Sequence, residues 1–188
     1  MTRLKERNVA IPLTIVVCII FLLLGVRTGL QRAASDLTEM YETGVDSSGY
    51  GIATDLQKRY TYSGNLTAVA QKYDAAFETE ISAVSAARAD LDAALATDSF
   101  ADDYDANAAL TEAVEALNLA MKSYDLSDED EAYRAEIYAD LISRNDTISH
   151  EATDFNAEVR SFNEDVLGAF PASLLHGLVG VDAVEVYG

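Results

Sequence analysis

The residue types that support chemistry are few and badly spaced for it. His150 and His176 are the two histidines. A zinc site needs several such ligands at one point in space. The two lie far apart in sequence, outside any His-x-x-x-His pattern. His150 stands beside Glu151, but successive side chains on a helix point about 100° apart and chelate one ion poorly. Asp103-Tyr104-Asp105-Ala106-Asn107 has the opening of a calcium-loop spacing. The pattern fails at Ala108, where the loop needs glycine, and at Val114, where it needs a bidentate carboxylate. The cluster reads as an acidic turn. Asp128-Glu129-Asp130-Glu131 suits a helix start, where negative charge meets the positive end of the dipole. Cys18 is the only cysteine, so it has no partner for an intramolecular disulfide. It lies in an apolar run, and Val17 is not the small residue that lipoprotein processing requires. Asn65-Leu66-Thr67 and Asn145-Asp146-Thr147 match the glycosylation sequon, a pattern short enough to arise by chance. No phosphate-cradling glycine loop, nucleophile elbow or thiol pair is present. The sequence therefore assigns no catalytic residue, metal ligand or cofactor, and the chain reads as a non-enzyme.

Charge divides the chain unevenly. The formal net charge is -19. Arg3, Lys5, Arg7, Arg27 and Arg32 flank the apolar run, and only Glu6 is acidic before Asp36. A strongly acidic remainder repels phosphate backbones, which excludes nucleic acid as a natural partner. Residues 9–26 read VAIPLTIVVCIIFLLLGV, uncharged and 18 residues long. About 20 apolar residues cross a bilayer, and Arg7 and Arg27 can snorkel to make up the difference. No small-x-small cleavage site follows, so the run reads as an uncleaved transmembrane anchor in the lipid bilayer. The basic excess before it places residues 1–8 in the cytoplasm and residues 27–188 outside, in the cell envelope.

Apolar periodicity organises the rest into helices. A first helix, about 27–43, carries Leu30, Ala34, Leu37 and Tyr41. Residues 44–51, with three glycines and two serines, form a loop. A second helical region covers 52–62 and 65–96, with a break at Tyr62-Ser63-Gly64-Asn65. A third covers 104–125, with Leu110, Val114, Leu117, Met121 and Tyr124 at coiled-coil spacing. The fourth covers 128–168. Ser127 with Asp130 resembles a capping box. Its two seams repeat every seven residues: Leu141, Ile148, Phe155 and Phe162 on one, Tyr138, Asn145, Ala152, Val159 and Val166 on the other. Asn145 on a seam would fix register. Pro171 closes the helix, and 169–188 form a tail. A 40-residue helix is about 60 Å long. Such helices are expected to lie antiparallel, as an elongated all-α bundle on one N-terminal transmembrane helix.

Several motifs resemble the LemA family. Phe155-Asn156 and Phe162-Asn163 are aromatic–Asn pairs. Phe170-Pro171 follows, then a small apolar tail ending at Tyr187. Residues 52–60, with Leu56, Lys58, Arg59 and Tyr60 ahead of Asn65-Leu66, are similar to the family's earlier signature. Residues 44–51 look like an insertion, and Gly64 stands where the family has proline. The resemblance implies an elongated antiparallel bundle on one anchor, and no established biochemical activity. Phe155 and Phe162 are expected on a buried seam. Asn156 and Asn163 are expected to bond backbone at a neighbouring helix end or turn, or else to meet a partner.

Three readings of function follow. The first is a scaffold or protein-interaction module tethered to the membrane, with an unidentified membrane or envelope protein as partner. The second is an extracytoplasmic ligand sensor acting through a partner. The third is a self-assembling structural spacer, its heptad seams continued between copies.

Overall fold

The computed structural model describes residues 7–45, 49–97 and 99–188. Arg3, Lys5, the centre of the glycine-rich loop at 46–48 and Asp98 lie outside the described residues. The described chain is all-α: α1 (Arg7–Thr43), α2 (Ile52–Ala70), a 3-10 segment (Gln71–Phe77), α3 (Glu78–Ala94), α4 (Phe100–Lys122), α5 (Asp128–Ser161), a π segment (Phe162–Leu167) and α6 (Ala172–Val179). It divides into two compact units. One comprises residues 1–38 with 158–184, the other 39–157 with 185–188.

In the larger unit, α2 to α5 run alternately up and down. Arg88 on α3 donates from Nε to the Tyr60 carbonyl of α2 at 3.1 Å, and its guanidinium lies 4.2 Å from the centre of the Tyr60 ring. Asn118 and Asn107 on α4 meet Arg134 and Asn145 on α5. The core holds Leu56, Leu66, Val84, Leu91, Leu110, Val114, Leu117 and Met121, all nearly inaccessible. The α5 seam of Leu141, Ile148 and Phe155 is buried, and Arg134 extends it by one heptad toward the N-terminus. Aromatic clusters close the two ends. Tyr73, Phe77 and Tyr124 meet at 5.1–6.3 Å at one, and Tyr41, Phe100, Phe155 and Tyr187 at the other.

Two expected boundaries and one expected cap are corrected. First, α2 runs unbroken through Tyr62-Ser63-Gly64-Asn65. Gly64 serves close packing: a Cβ there would lie 3.0 Å from Arg88 Nη2. The reversal comes instead at Gln71–Phe77, held by Lys72 and Tyr73 bonds to Asp130. Second, α4 begins at Phe100, not 104. Ser99 caps it by accepting from the Asp102 N–H at 3.3 Å, so the acidic cluster lies inside the helix. Third, the capping box at Ser127 is half made. Ser127 Oγ accepts from the Asp130 N–H at 3.2 Å, but the Ser127 N–H goes to Tyr73 Oη at 2.9 Å. Asp is one methylene shorter than the usual Glu, and its carboxylate is taken by Lys72 and Tyr73. The expected tail, 169–188, has structure of its own. It contains α6, which ends at Gly180 with φ 70°.

The smaller unit contains the apolar part of α1. Its 18-residue window has mean hydropathy 2.5 and no buried residue. α1 is one helix through Pro12, whose ring lacks the N–H that would otherwise bond the Asn8 carbonyl. In the same unit the regular α-helix ends at Ser161. The π segment that follows places Phe162 and Leu167 on one buried face, five residues apart. Val166, expected on the seam, is turned out and is 38% exposed. The wider π turn moves the buried position along by one residue.

Candidate functional site

The buried stripe of α2 runs Ile52, Asp55, Leu56, Arg59, Ser63, Leu66, Ala70. Two of its members are ionic. Arg59 is 1% exposed. Its Nη1 donates to Asn107 Oδ1 and, at 2.7 Å, to Asn145 Oδ1, while Nη2 donates to Thr111 Oγ1 at 2.8 Å. Nε has no hydrogen-bond partner, and all three acceptors are neutral. Burial without a bonded carboxylate disfavours the charged form, and the guanidinium is pushed down to about 10. Asn107 Nδ2 also donates to Asn145 Oδ1, at 3.3 Å, so three helices meet in one polar layer.

One turn earlier on α2, Asp55 is fully buried. Lys58 Nζ at 2.9 Å and Arg144 Nη1 at 3.3 Å both bond its Oδ1, leaving Oδ2 unpartnered. Arg144 and Asn145 are neighbours on α5, just as Asp55 and Arg59 are neighbours along α2. The two helices are thus pinned in register by two polar contacts. One turn earlier on α4, Asp103 accepts from Tyr41 Oη at 2.5 Å and is 3% exposed. Burial raises the pKa of Asp103, partly offset by that bond. Burial likewise raises the phenols of Tyr41 and Tyr187, and the Asp103 carboxylate raises both further.

Above this layer runs a groove of about 540 Å³ between α4 and α5. Asn107, Thr111 and Asn145 line it, together with Tyr187 of the tail. The Tyr187 hydroxyl is buried and has no hydrogen bond of ordinary geometry. The arrangement can present polar donors to a small ligand over a buried positive charge. Among the described residues no group of three or more His, Cys, Asp or Glu is placed to hold a metal ion.

The residues singled out from sequence have separate fates. Phe155 and Phe162 are buried, at 1% and 4% exposure. Asn156 and Asn163 grip the backbone of the chain's own tail. Asn156 donates to the Tyr187 carbonyl at 2.9 Å and accepts from its N–H at 2.7 Å. Asn163 does the same for Val184, at 2.8 and 3.0 Å. The spacing suits this pairing. Seven residues of helix rise about 10.5 Å, and three residues of extended chain cover about 10 Å. Phe170 is exposed and Pro171 precedes α6, so neither joins the amides. His150 lies on the exposed side of α5, while His176 Nδ1 lies 3.1 Å from the Val181 carbonyl oxygen.

In the sequence Lys58-Arg59-Tyr60 stands out only as part of a signature, and Asp55 does not stand out at all. A signal was present: Asp55 and Arg59 stand four apart on the stripe that carries Ile52, Leu56, Ser63 and Leu66.

The family model that matches is that of the LemA family, over residues 49–188. Comparison with curated proteins and with solved structures finds no match.

Proposed function

The chain belongs to the LemA family, and on that premise we propose that it is a protein-interaction module tethered to the membrane. The observation that carries this reading is the continuity of α1. One helix includes the apolar segment and, at its far end, buries Tyr41 against Asp103, Phe100 and Phe155. An apolar segment carried on the same helix as a residue of the bundle core suits a protein tethered to a bilayer. In this reading the N-terminus is cytoplasmic and the bundle is extracytoplasmic, following the basic excess before the apolar segment. Exposed Tyr104, Leu119, Tyr124 and Tyr133 supply aromatic and apolar anchors for a protein partner. In-cell crosslinking with mass spectrometry on full-length tagged protein tests this. A reproducible partner linked to one bundle face is expected. Self-crosslinks alone would favour a self-assembling spacer instead.

A second reading, an extracytoplasmic ligand sensor, is favoured by the groove over Arg59 and the unpartnered Tyr187 hydroxyl. Four-helix bundles hold ligands between facing helices. A thermal-shift screen of small carboxylates and amides against the full chain tests it. A shift lost in Asn145→Leu supports the sensor, and no shift across the screen counts against it.

A further inference from the structure

Phe170, Leu174 and Leu178 are 82%, 71% and 78% exposed. Outside the apolar part of α1, no other large apolar side chain among the described residues exceeds the 55% of Leu119. The three recur every four residues, so Leu174 and Leu178 share one face of α6, while Ala172 and Val179 face inward and are buried. Exposed apolar residues scattered singly need no explanation, but a contiguous stripe of this kind marks a contact surface.

Two observations identify the contact. The first is charge. Residues 166–181 contain no Asp, Glu, Lys or Arg, in a chain of net charge -19. A protein-facing surface on so acidic a chain would be free to carry carboxylates at its rim. A surface that enters lipid cannot, because ionised carboxylates are costly to take out of water. The second is position. The compact unit that holds this segment is the one that holds the apolar part of α1. Leu30 is 4% exposed, although it lies only three residues, or about 4.5 Å of helix rise, beyond Arg27. A lone helix cannot cover its own side chain so completely. Within that unit the remaining chain is residues 158–184, the stretch that contains this segment.

We propose that the uncharged segment 166–181 is a second membrane contact, with Phe170, Leu174 and Leu178 inserted into the headgroup region of the bilayer that α1 crosses. This rests on the reading of α1 as a membrane anchor. α6 lies in the interface plane, its exposed face in the acyl boundary, about 5–10 Å deep for a helix of this kind. His176 is the only ionisable group on the segment, so insertion removes no fixed charge from water.

The test uses the full chain in phosphatidylcholine liposomes that contain lipids brominated at defined acyl depths. A thiol-reactive, environment-sensitive fluorophore is placed at native Cys18. Three single-thiol variants carry it elsewhere: Leu174→Cys, Leu178→Cys and Leu119→Cys, each with Cys18→Ser. The label at Cys18 should be quenched by the deepest bromines. Labels at 174 and 178 should be quenched at least threefold more than at 119, most strongly by shallow bromines. An unquenched Cys18 label would overturn the anchor reading itself. A quenched Cys18 label with 174 and 178 no more quenched than 119 would overturn the second contact alone. So would a blue shift at 174 that disappears when the protein is diluted over more liposomes, since a second copy would then be the cover.

Discussion

The side-chain amide of Asn156 holds both backbone polar groups of Tyr187, accepting from its N–H at 2.7 Å and donating to its carbonyl at 2.9 Å. This is how a strand satisfies its neighbour, performed here by one side chain. Without it the tail would carry unmet backbone groups against the bundle. Asn156→Ala removes both bonds and is expected to cost about 2 kcal/mol. Asn156→Asp should cost at least as much, because a carboxylate oxygen would face the Tyr187 carbonyl. Thermal unfolding of the full chain in detergent gives the stability. Hydrogen exchange at the Tyr187 amide shows whether the loss is local to the tail.

Arg59 supplies a sharper case, because its partners are neutral. Arg59→Met leaves the side-chain oxygens of Asn107 and Asn145 buried without their donor and should destabilise by about 2 kcal/mol. The triple variant Arg59→Met, Asn107→Leu, Asn145→Leu removes the donor and both amide acceptors together. It is expected to recover most of that loss, since whole buried polar networks can be replaced by apolar packing at little cost. A triple variant no more stable than the single one would mean the layer contributes net stability.

Alkaline unfolding should report the buried phenols. Tyr41 and Tyr187 both have pKa values raised by burial above the ordinary 10. Above about pH 10 the folded chain therefore keeps protons that the unfolded chain releases, and stability falls as pH rises. Arg59 acts in the opposite sense. Its folded value of about 10 lies below the ordinary 12.5, so the cost of burying its charge is relieved as pH climbs from 10 toward 12.5. Two phenols oppose one guanidinium, and the net slope should be downward. Tyr187→Phe, which deletes a hydroxyl that makes no hydrogen bond of ordinary geometry, should leave neutral-pH stability within about 1 kcal/mol and flatten that slope. Urea midpoints from pH 8 to 11.5 measure both.

The π segment makes a prediction that ordinary helix periodicity reverses. Leu167 is 5% exposed and Val166 is 38% exposed. Leu167→Ala should cost about 2–4 kcal/mol, while Val166→Ala should cost under about 0.5 kcal/mol. A regular seven-residue seam through Val159 would place the larger loss at Val166. Thermal unfolding of the two variants decides between them.

What the sequence made legible was the repetitive part. Leu110, Val114, Leu117 and Met121 on α4, and Leu141, Ile148, Phe155 and Phe162 beyond, announce buried faces by spacing alone, and all eight are buried. The turn near Gly64 misled because glycine beside serine and asparagine is a local signal, whereas that glycine answers to Arg88 on another helix. The true reversal at Gln71–Phe77 contains no glycine or proline. It is held by Asp130, 57 and 58 residues away in sequence, which no local window can see. The candidate site was missed for a related reason. Arg59 beside Lys58 looks like a solvated basic pair until Asn107, Thr111 and Asn145 arrive from two other helices.

The aromatic junction has a consequence for how the protein is made. Tyr41 comes from the first helix and Tyr187 from the tail, with ring centres 6.1 Å apart. A growing chain exposes Tyr41 early, while Tyr187 follows only after α2 to α6 have emerged. At ordinary elongation rates that interval is on the order of ten seconds. Throughout it Tyr41, joined in turn by Phe100 and Phe155, stands without its last neighbour. A chain released before residue 187 therefore leaves the Tyr41 ring open to water on the side that Tyr187 covers.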